Sequence, residues 1–179
     1  MTNNSELGEL AKQYRFYGSG AGKTIFVDFG RHMVLPEISA ILGIYQLNRL
    51  EEFISKRNEI ANKYNEMFEK INTIGIVSCP ACYRSSYYKY PLKLNDKIDK
   101  TKFTQLLFED FGIETGNIFY PLCHLQTVYK KLGALSYASL LTAETVLSRT
   151  LALPMHVQLT AQDVNYVLEK VTFLLHALS

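Results

Sequence analysis

The stretch Leu35–Ile71, LPEISAILGIYQLNRLEEFISKRNEIANKYNEMFEKI, constrains this chain more than any other. Apolar or aromatic residues recur at Ile38, Ile41, Leu42, Tyr45, Leu50, Phe53, Ile54, Ile60, Tyr64, Met67, Phe68 and Ile71. Spacings of three and four put them along one stripe of an α-helix. Pro36 suits a first helical turn, where its missing N–H would have no intrahelical partner. At ~1.5 Å per residue, such a helix spans about 50 Å. That exceeds the need of one small body, so the stretch is predicted to bridge two packed bodies.

The chain has 179 residues, 47% hydrophobic and 20% charged. That balance predicts a globular protein with a real core rather than a disordered one. The net charge of +2 offers no electrostatic case for a nucleic-acid or anionic-membrane partner. No apolar run approaches the ~20 residues that a spanning helix needs. The start MTNNSELGELAKQ lacks the basic and apolar segments of a signal peptide. Three cysteines, an odd number, fit a reducing, cytoplasmic setting better than a disulfide framework. Twelve Tyr and ten Phe with no Trp suggest large contact surfaces, a subunit interface among them.

Taken in order, Ser5–Tyr17 reads as a short helix capped by Ser5, with Leu7, Leu10, Ala11 and Tyr14 on one face. Gly18–Thr24, GSGAGKT, is close to a phosphate-binding loop but carries Tyr17 where the pattern requires its first glycine. It also follows a helix, and strand-like Ile25–Phe29 follows it, the reverse of the phosphate-loop context. A surface loop is the reading. Beyond the long helix, Ile74–Ser78 and Tyr87–Leu94 are strand candidates, with Pro91 favouring an edge or a bulge. Thr101 is read as the cap of a helix running to Phe111, stopped by a left-handed Gly112. Ile113–Tyr120 is a third extended stretch. Helix Thr142–Arg149, short apolar Thr150–Leu153 and a last helix to about Ala177 complete the chain. Thr160 and Asp163 have the spacing of a capping box at that last helix. Residues 72–179 therefore read as a small α/β body, 36–71 as the bridging helix, and 1–35 as the tail of something larger.

Candidate chemistry is sparse. Cys79-x-x-Cys82 has redox spacing, yet a Tyr-rich strand follows it instead of the helix that would activate a thiol. Cys79, Cys82, Cys123 and His124 are zinc-type ligands, but the second pair is adjacent rather than spaced. No metal site is predicted. His124 and His156 each lie just past an apolar run and a proline, at predicted strand ends. A lone histidine is commonly structural, but two in parallel contexts on loops are candidates for a site. No Ser/His/Asp arrangement or carboxylate pair stands out, so the residues alone do not reach a reaction.

The order of motifs reaches further. Pro36-Glu37-Ile38-Ser39-Ala40-Ile41-Leu42-Gly43 is followed by Gln46-Leu47, Leu50, Arg57, Ile60-Ala61 and Tyr64. Then come Tyr87-Tyr88-Lys89-Tyr90-Pro91, Gly112-Ile113-Glu114-Thr115-Gly116, Tyr120-Pro121-Leu122 with His124, Ala143-Glu144, and Leu153-Pro154-Met155-His156 with Leu159-Thr160. This series resembles the DegT/DnrJ/StrS family of PLP-dependent aminotransferases of nucleotide-linked keto sugars. The resemblance implies the small C-terminal domain of the aspartate-aminotransferase-like fold, fold type I, joined to a large PLP-binding domain by the long helix. By this resemblance residues 1–35 are a remnant of the large domain. The lysine that binds pyridoxal 5'-phosphate, the acidic partner of the pyridine nitrogen and the stacking aromatic would lie upstream of Met1. No catalytic residue is then expected in this chain, and alone it should not hold the cofactor covalently. His32 takes the place of a family asparagine that reaches the cofactor phosphate of the other subunit, and Val34 that of an arginine. His32 and Arg31 are the cofactor-binding candidates. His124 matches a histidine near the sugar substrate, with Tyr120 and His156 as further substrate-binding candidates. The resemblance also implies a homodimer and an amino donor, glutamate. Two other readings are a non-catalytic dimerisation module and a fragment of a sugar dehydratase of the same family.

Overall fold

The computed structural model describes residues 2–20, 24–119, 121–132 and 140–178. It divides into two compact units, Met1–Leu50 and Glu51–Ser179. In the first unit, helix α1 spans Ser5–Arg15 and is capped by Asn4, whose side chain accepts from Leu7 N at 3.0 Å. The cap thus falls one residue before the expected Ser5, which is already helical. Tyr17 and Gly18 then turn through left-handed backbone, with φ of 58° and 73°. A Cβ on Gly18 would lie 1.8 Å from the Asp28 carbonyl oxygen, so only glycine fits this crossing. Single bridges pair Phe16 with His32 and Ser19 with Phe26. The strand expected over Ile25–Phe29 is reduced to that second bridge. Gly20 N donates to Ile25 O, and Val27 N and Asp28 N both donate to Gly18 O, so these backbone groups close on Gly18–Gly20 instead of extending a ladder along the segment.

The expected continuous helix over 36–71 is two helices. α2 spans Glu37–Asn48 and α3 spans Leu50–Phe68. Between them Arg49 donates its N–H back to Gln46 O and Leu47 O, tightening and ending the first helix. Pro36 sits at the N-cap in extended conformation, with ψ 144°, rather than inside the first turn. The boundary between the two compact units, at Leu50 and Glu51, falls within this helical stretch. α2 buries none of its residues: Ile38, Ile41, Leu42, Ile44, Tyr45 and Leu47 are each about 60–75% exposed.

The second unit is built on a four-stranded sheet in the order β1-β2-β4-β3. β1 is Ile74–Ile76, β2 Tyr90–Leu94, β3 Gly116–Asn117 and β4 Thr150–Leu153. All pairs are antiparallel, with Leu92 opposite Ile76 and Leu151 and Asn117 also opposite Leu151. Helices α4 (Lys100–Phe111), α5 (Thr127–Lys131), α6 (Leu141–Ser148) and α7 (Ala161–Ala177) complete the unit. α4 is capped by Asp99, not Thr101, through its carboxylate and Lys102 N at 3.0 Å, and it ends in left-handed Gly112 as expected. Both halves of the Thr160/Asp163 capping box form at α7.

Pro91 sits on an interior strand, not at an edge. The register explains why this is tolerated. Leu94 donates its N–H to Arg149 O on the β4 side, so by alternation the Pro91 nitrogen faces β1. β1 ends at Ile76, opposite Leu92, so no β1 residue waits for a donor at Pro91.

The core gathers Tyr64 and Phe68 of α3, Tyr90, Leu92 and Leu94 of β2, Phe103 and Leu107 of α4, and Val171 and Leu175 of α7, all at 0–1% exposure. Tyr64 meets Tyr90 edge-on at 4.9 Å and Phe68 at 5.9 Å between ring centroids. Tyr64 Oη donates to Pro154 O at 3.0 Å, and Tyr90 Oη to Asn65 Oδ1 at 2.8 Å. Burial pushes both phenol pKa values up, keeping the hydroxyls as neutral donors. Tyr64→Phe should therefore cost about 1 kcal/mol, the lost hydrogen bond, whereas Tyr64→Ala should cost about 4 kcal/mol by opening a cavity. Urea unfolding followed by circular dichroism would measure both, and equal costs would contradict this division.

Candidate functional site

A polar connection leaves β3. It is held at both ends. At its start, Lys89 Nζ donates to Asn117 O at 2.7 Å, and Lys100 Nζ donates to Asn117 Oδ1 at 2.8 Å. The Lys89 ammonium also lies 5.4 Å from the Tyr88 ring centre and 6.0 Å from that of Phe119. Burial lowers the Lys100 pKa. Phe119 follows with φ of 47°, a left-handed conformation that a bulky side chain rarely adopts and that recurs at functional loops. Leu122 then inserts into the protein, 5% exposed, and a 3₁₀ turn over Cys123–Leu125 presents His124. Gln126 Nε2 donates back to Pro121 O at 3.2 Å.

His124 is fixed from across the segment. Its Nε2 lies 3.0 Å from Glu144 Oε1, on α6. The pair is half-buried, with side-chain exposures of 25% and 36%. It therefore sits at a rim, reachable by a ligand yet partly shielded from water. Glu144 is not one of the site candidates that the sequence offers. A signal for it exists: α6 reads LTAETVLS, and Glu144 is its sole charged residue.

His156 belongs elsewhere. β3 and β4 run antiparallel, so β3 leaves the sheet at the end where β4 enters it, fed by α6. His124 and Glu144 lie on those two connections. His156 instead follows Pro154, past the other end of β4. It lines a cleft of about 570 Å³ with Ile113, Glu114, Pro154, Asp163 and Tyr166. The parallel sequence contexts of the two histidines thus do not converge on one place. Tyr120 lies outside the described residues.

In the first unit, the backbones of Arg31 and His32 are pinned. Arg31 N donates to Tyr14 O at 2.7 Å, and Arg31 O accepts from Tyr17 N at 3.2 Å. The His32 ring lies 5.2 Å from that of Tyr17 and 6.3 Å from that of Phe16. Both side chains are exposed. Cys79, Cys82 and Cys123 are free thiols, and no helix begins at the Cys79–Cys82 pair. Among the described residues, no group of three or more His, Cys, Asp or Glu side chains is placed to hold a metal ion. Of the glycine-rich loop, residues 21–23 lie outside the described residues. No helix is long and apolar enough to cross a membrane among the described residues.

The profile of the DegT/DnrJ/EryC1/StrS aminotransferase family matches residues 1–172. The chain belongs to this family. It is 28% identical to the UDP-4-amino-4,6-dideoxy-N-acetyl-beta-L-altrosamine transaminase of Campylobacter jejuni, over 93% of this chain and 45% of that protein. Among solved structures, it resembles the aminotransferase TlmJ from Streptoalloteichus hindustanus with a TM-score of 0.86 and 31% identity, covering 99% of this chain and 47% of that one. Helicobacter pylori PseC, an aminotransferase involved in the biosynthesis of pseudoaminic acid, gives a TM-score of 0.86 at 25% identity, over 98% and 48%. The chain spans about half the length of the curated relatives it matches. The mixed α/β fold expected from the resemblance, that of part of a PLP-dependent sugar aminotransferase, is the fold observed.

The rim of the His156 cleft gives a pH-dependent prediction. Hydrogen bonds from the Thr160 side chain and backbone hold the Asp163 carboxyl below its ordinary pKa, and His156 lowers it further. A carboxylate depressed by folding stabilises the folded state above its unfolded pKa, and that contribution is lost as pH falls through the folded value. Unfolding midpoints of the wild type and Asp163→Asn should therefore differ at neutral pH and converge in acid. A gap that persists below both pKa values would contradict the assignment.

Proposed function

We propose that this chain is the small-domain part, with its connecting helices, of a PLP-dependent aminotransferase of nucleotide-linked keto sugars. Residues 1–35 belong to the large domain of that enzyme, and the cofactor lysine lies outside these 179 residues. The observation that carries the reading is α2. A helix apolar on every side is a buried helix in its working state. Here it lies bare in a chain that matches just under half of each sugar aminotransferase it resembles. The remaining half of the fold, together with a second subunit, is the cover this surface fits. Cell-surface and antibiotic sugars are the substrate classes that the family suggests, and glutamate is the amino donor.

Two residues of the first unit carry the donors that a cofactor phosphate accepts from, which supports this reading. The Arg31 guanidinium and the His32 imidazole both donate N–H, their side chains are exposed, and their backbones are held by Tyr14, Tyr17 and Phe16. In the complete dimer they would hold the phosphate of the partner subunit's cofactor. PLP, when bound, supplies the electron sink for the transfer of the amino group. The task of this chain is then orientation. The segment from Asn117 to His124 presents polar groups to the sugar and is anchored so that they stay in place. Fixing that loop before the substrate arrives lowers the ordering cost of binding.

Purified alone and mixed with PLP, the chain should show no visible absorbance band of lysine-bound cofactor. Borohydride reduction followed by mass spectrometry should find no pyridoxyl-lysine. A single stoichiometric pyridoxyl-lysine would overturn the claim that the cofactor lysine lies outside this chain. The DNA preceding the codon for Met1 gives an independent check. An in-frame segment encoding the lysine-bearing domain supports the reading, whereas an in-frame stop with no partner gene for that domain favours a dimerisation module.

A further inference from the structure

We propose that Glu144 is the positioning residue for His124, holding the imidazole as its Nε2–H tautomer and leaving the Nδ1 lone pair to accept a hydrogen bond from a substrate hydroxyl. The inference rests on the reading of His124 as a sugar-facing residue and adds to it which atom does the recognising.

The argument starts from what each group can do. An ionised carboxylate only accepts hydrogen bonds. Glu144 Oε1 lies 3.0 Å from Nε2, so the ring nitrogen facing it must carry the proton. In a neutral imidazole the other nitrogen is then an acceptor. Among the described residues no hydrogen bond is formed at Nδ1. The arrangement would therefore select a ligand that offers a donor there, as a sugar ring offers hydroxyls.

Three features separate this from a chance surface contact. The pair is half-buried. Glu144 sits mid-way along α6, whose Val146 carbonyl accepts from the Thr150 hydroxyl of β4 at 2.7 Å, so the carboxylate is mounted on an element seated on the sheet. His124 sits on a 3₁₀ turn fixed by Leu125 N donating to Leu122 O at 3.0 Å and by the inserted Leu122 side chain. Two rigid mounts and one hydrogen bond fix both the orientation and the tautomer of the ring.

Long-range ¹H–¹⁵N spectra of the imidazoles, at about pH 8 where a histidine is neutral, read the tautomer directly. The wild-type chain should show His124 almost wholly as Nε2–H. Glu144→Gln keeps the shape and an acceptor oxygen but adds a donor, so the clasp can persist while the tautomer is freed. In that variant the two forms should mix, with the circular dichroism and the unfolding midpoint nearly unchanged. A wild-type ring carrying its proton on Nδ1, or a Glu144→Gln spectrum unchanged in tautomer, overturns the proposal. If Glu144→Gln fails to fold, the wild-type spectrum alone still decides between the two tautomers.

Titration with UDP-N-acetylglucosamine separates this proposal from the functional reading beneath it. Shifts of the His124 ring with His176 unmoved, and binding about three- to tenfold weaker in Glu144→Gln, support both. Equal binding by wild type and variant overturns the positioning role. An Nε2–H ring that this probe leaves unshifted upholds the clasp and counts against the sugar-facing reading of His124.

Discussion

Antiparallel pairing of β4 between β2 and β3 is the constraint on which the second unit depends. All four β4 residues are buried, from Thr150 at 5% exposure to Leu151 at 0%. On one face Leu151 and Leu153 stand opposite Leu92 and Tyr90 and join the aromatic cluster with Tyr64 and Phe68. On the other, Ala152 and Thr150 stand opposite Pro91 and Lys93. A strand buried on both faces cannot slip by one residue without exchanging its whole environment. Its register in turn fixes where the connections begin. The loop with His124 and helix α6 with Glu144 belong to one end of the strand, and the His156 cleft to the other.

The first unit obeys the opposite logic. Its helices bury no residue, and its strand-like Ile25–Phe29 segment finds a single bridge. Close backbone crossings at Gly18 and Gly30 hold it together locally. An apolar surface this continuous is costly in water and is characteristic of interfaces. The chain belongs to the aminotransferase family and matches about half of each relative, and the proposed function rests on that bare surface.

Much of the architecture was legible in the sequence. The period of α7, the left-handed Gly112 and the Thr160–Asp163 box follow from local chemistry, and the structure reproduces them. Local rules failed by one or two residues where two caps competed. Asn4 and Asp99 win over Ser5 and Thr101 because the cap belongs to whichever side chain reaches the free N–H two or three residues on. Apolar spacing ran straight through Arg49 and so suggested one helix where there are two. Pro91 is an edge signal by local rules, yet it lies on an interior strand whose neighbour stops short.

The sequence by itself determined the family, the order of elements and the candidacy of His124, because motif order and hydrophobic period are properties of the chain alone. Only the tertiary structure decided what surrounds those residues. It joined His124 to Glu144, twenty positions apart, and tied Asn117 to Lys89 and Lys100. It also parted His156 from His124, which similar local contexts had made look alike. The physical reason is that antiparallel pairing sends successive connections to opposite ends of a strand. Proximity in a sheet is set by register, which no short window of sequence contains.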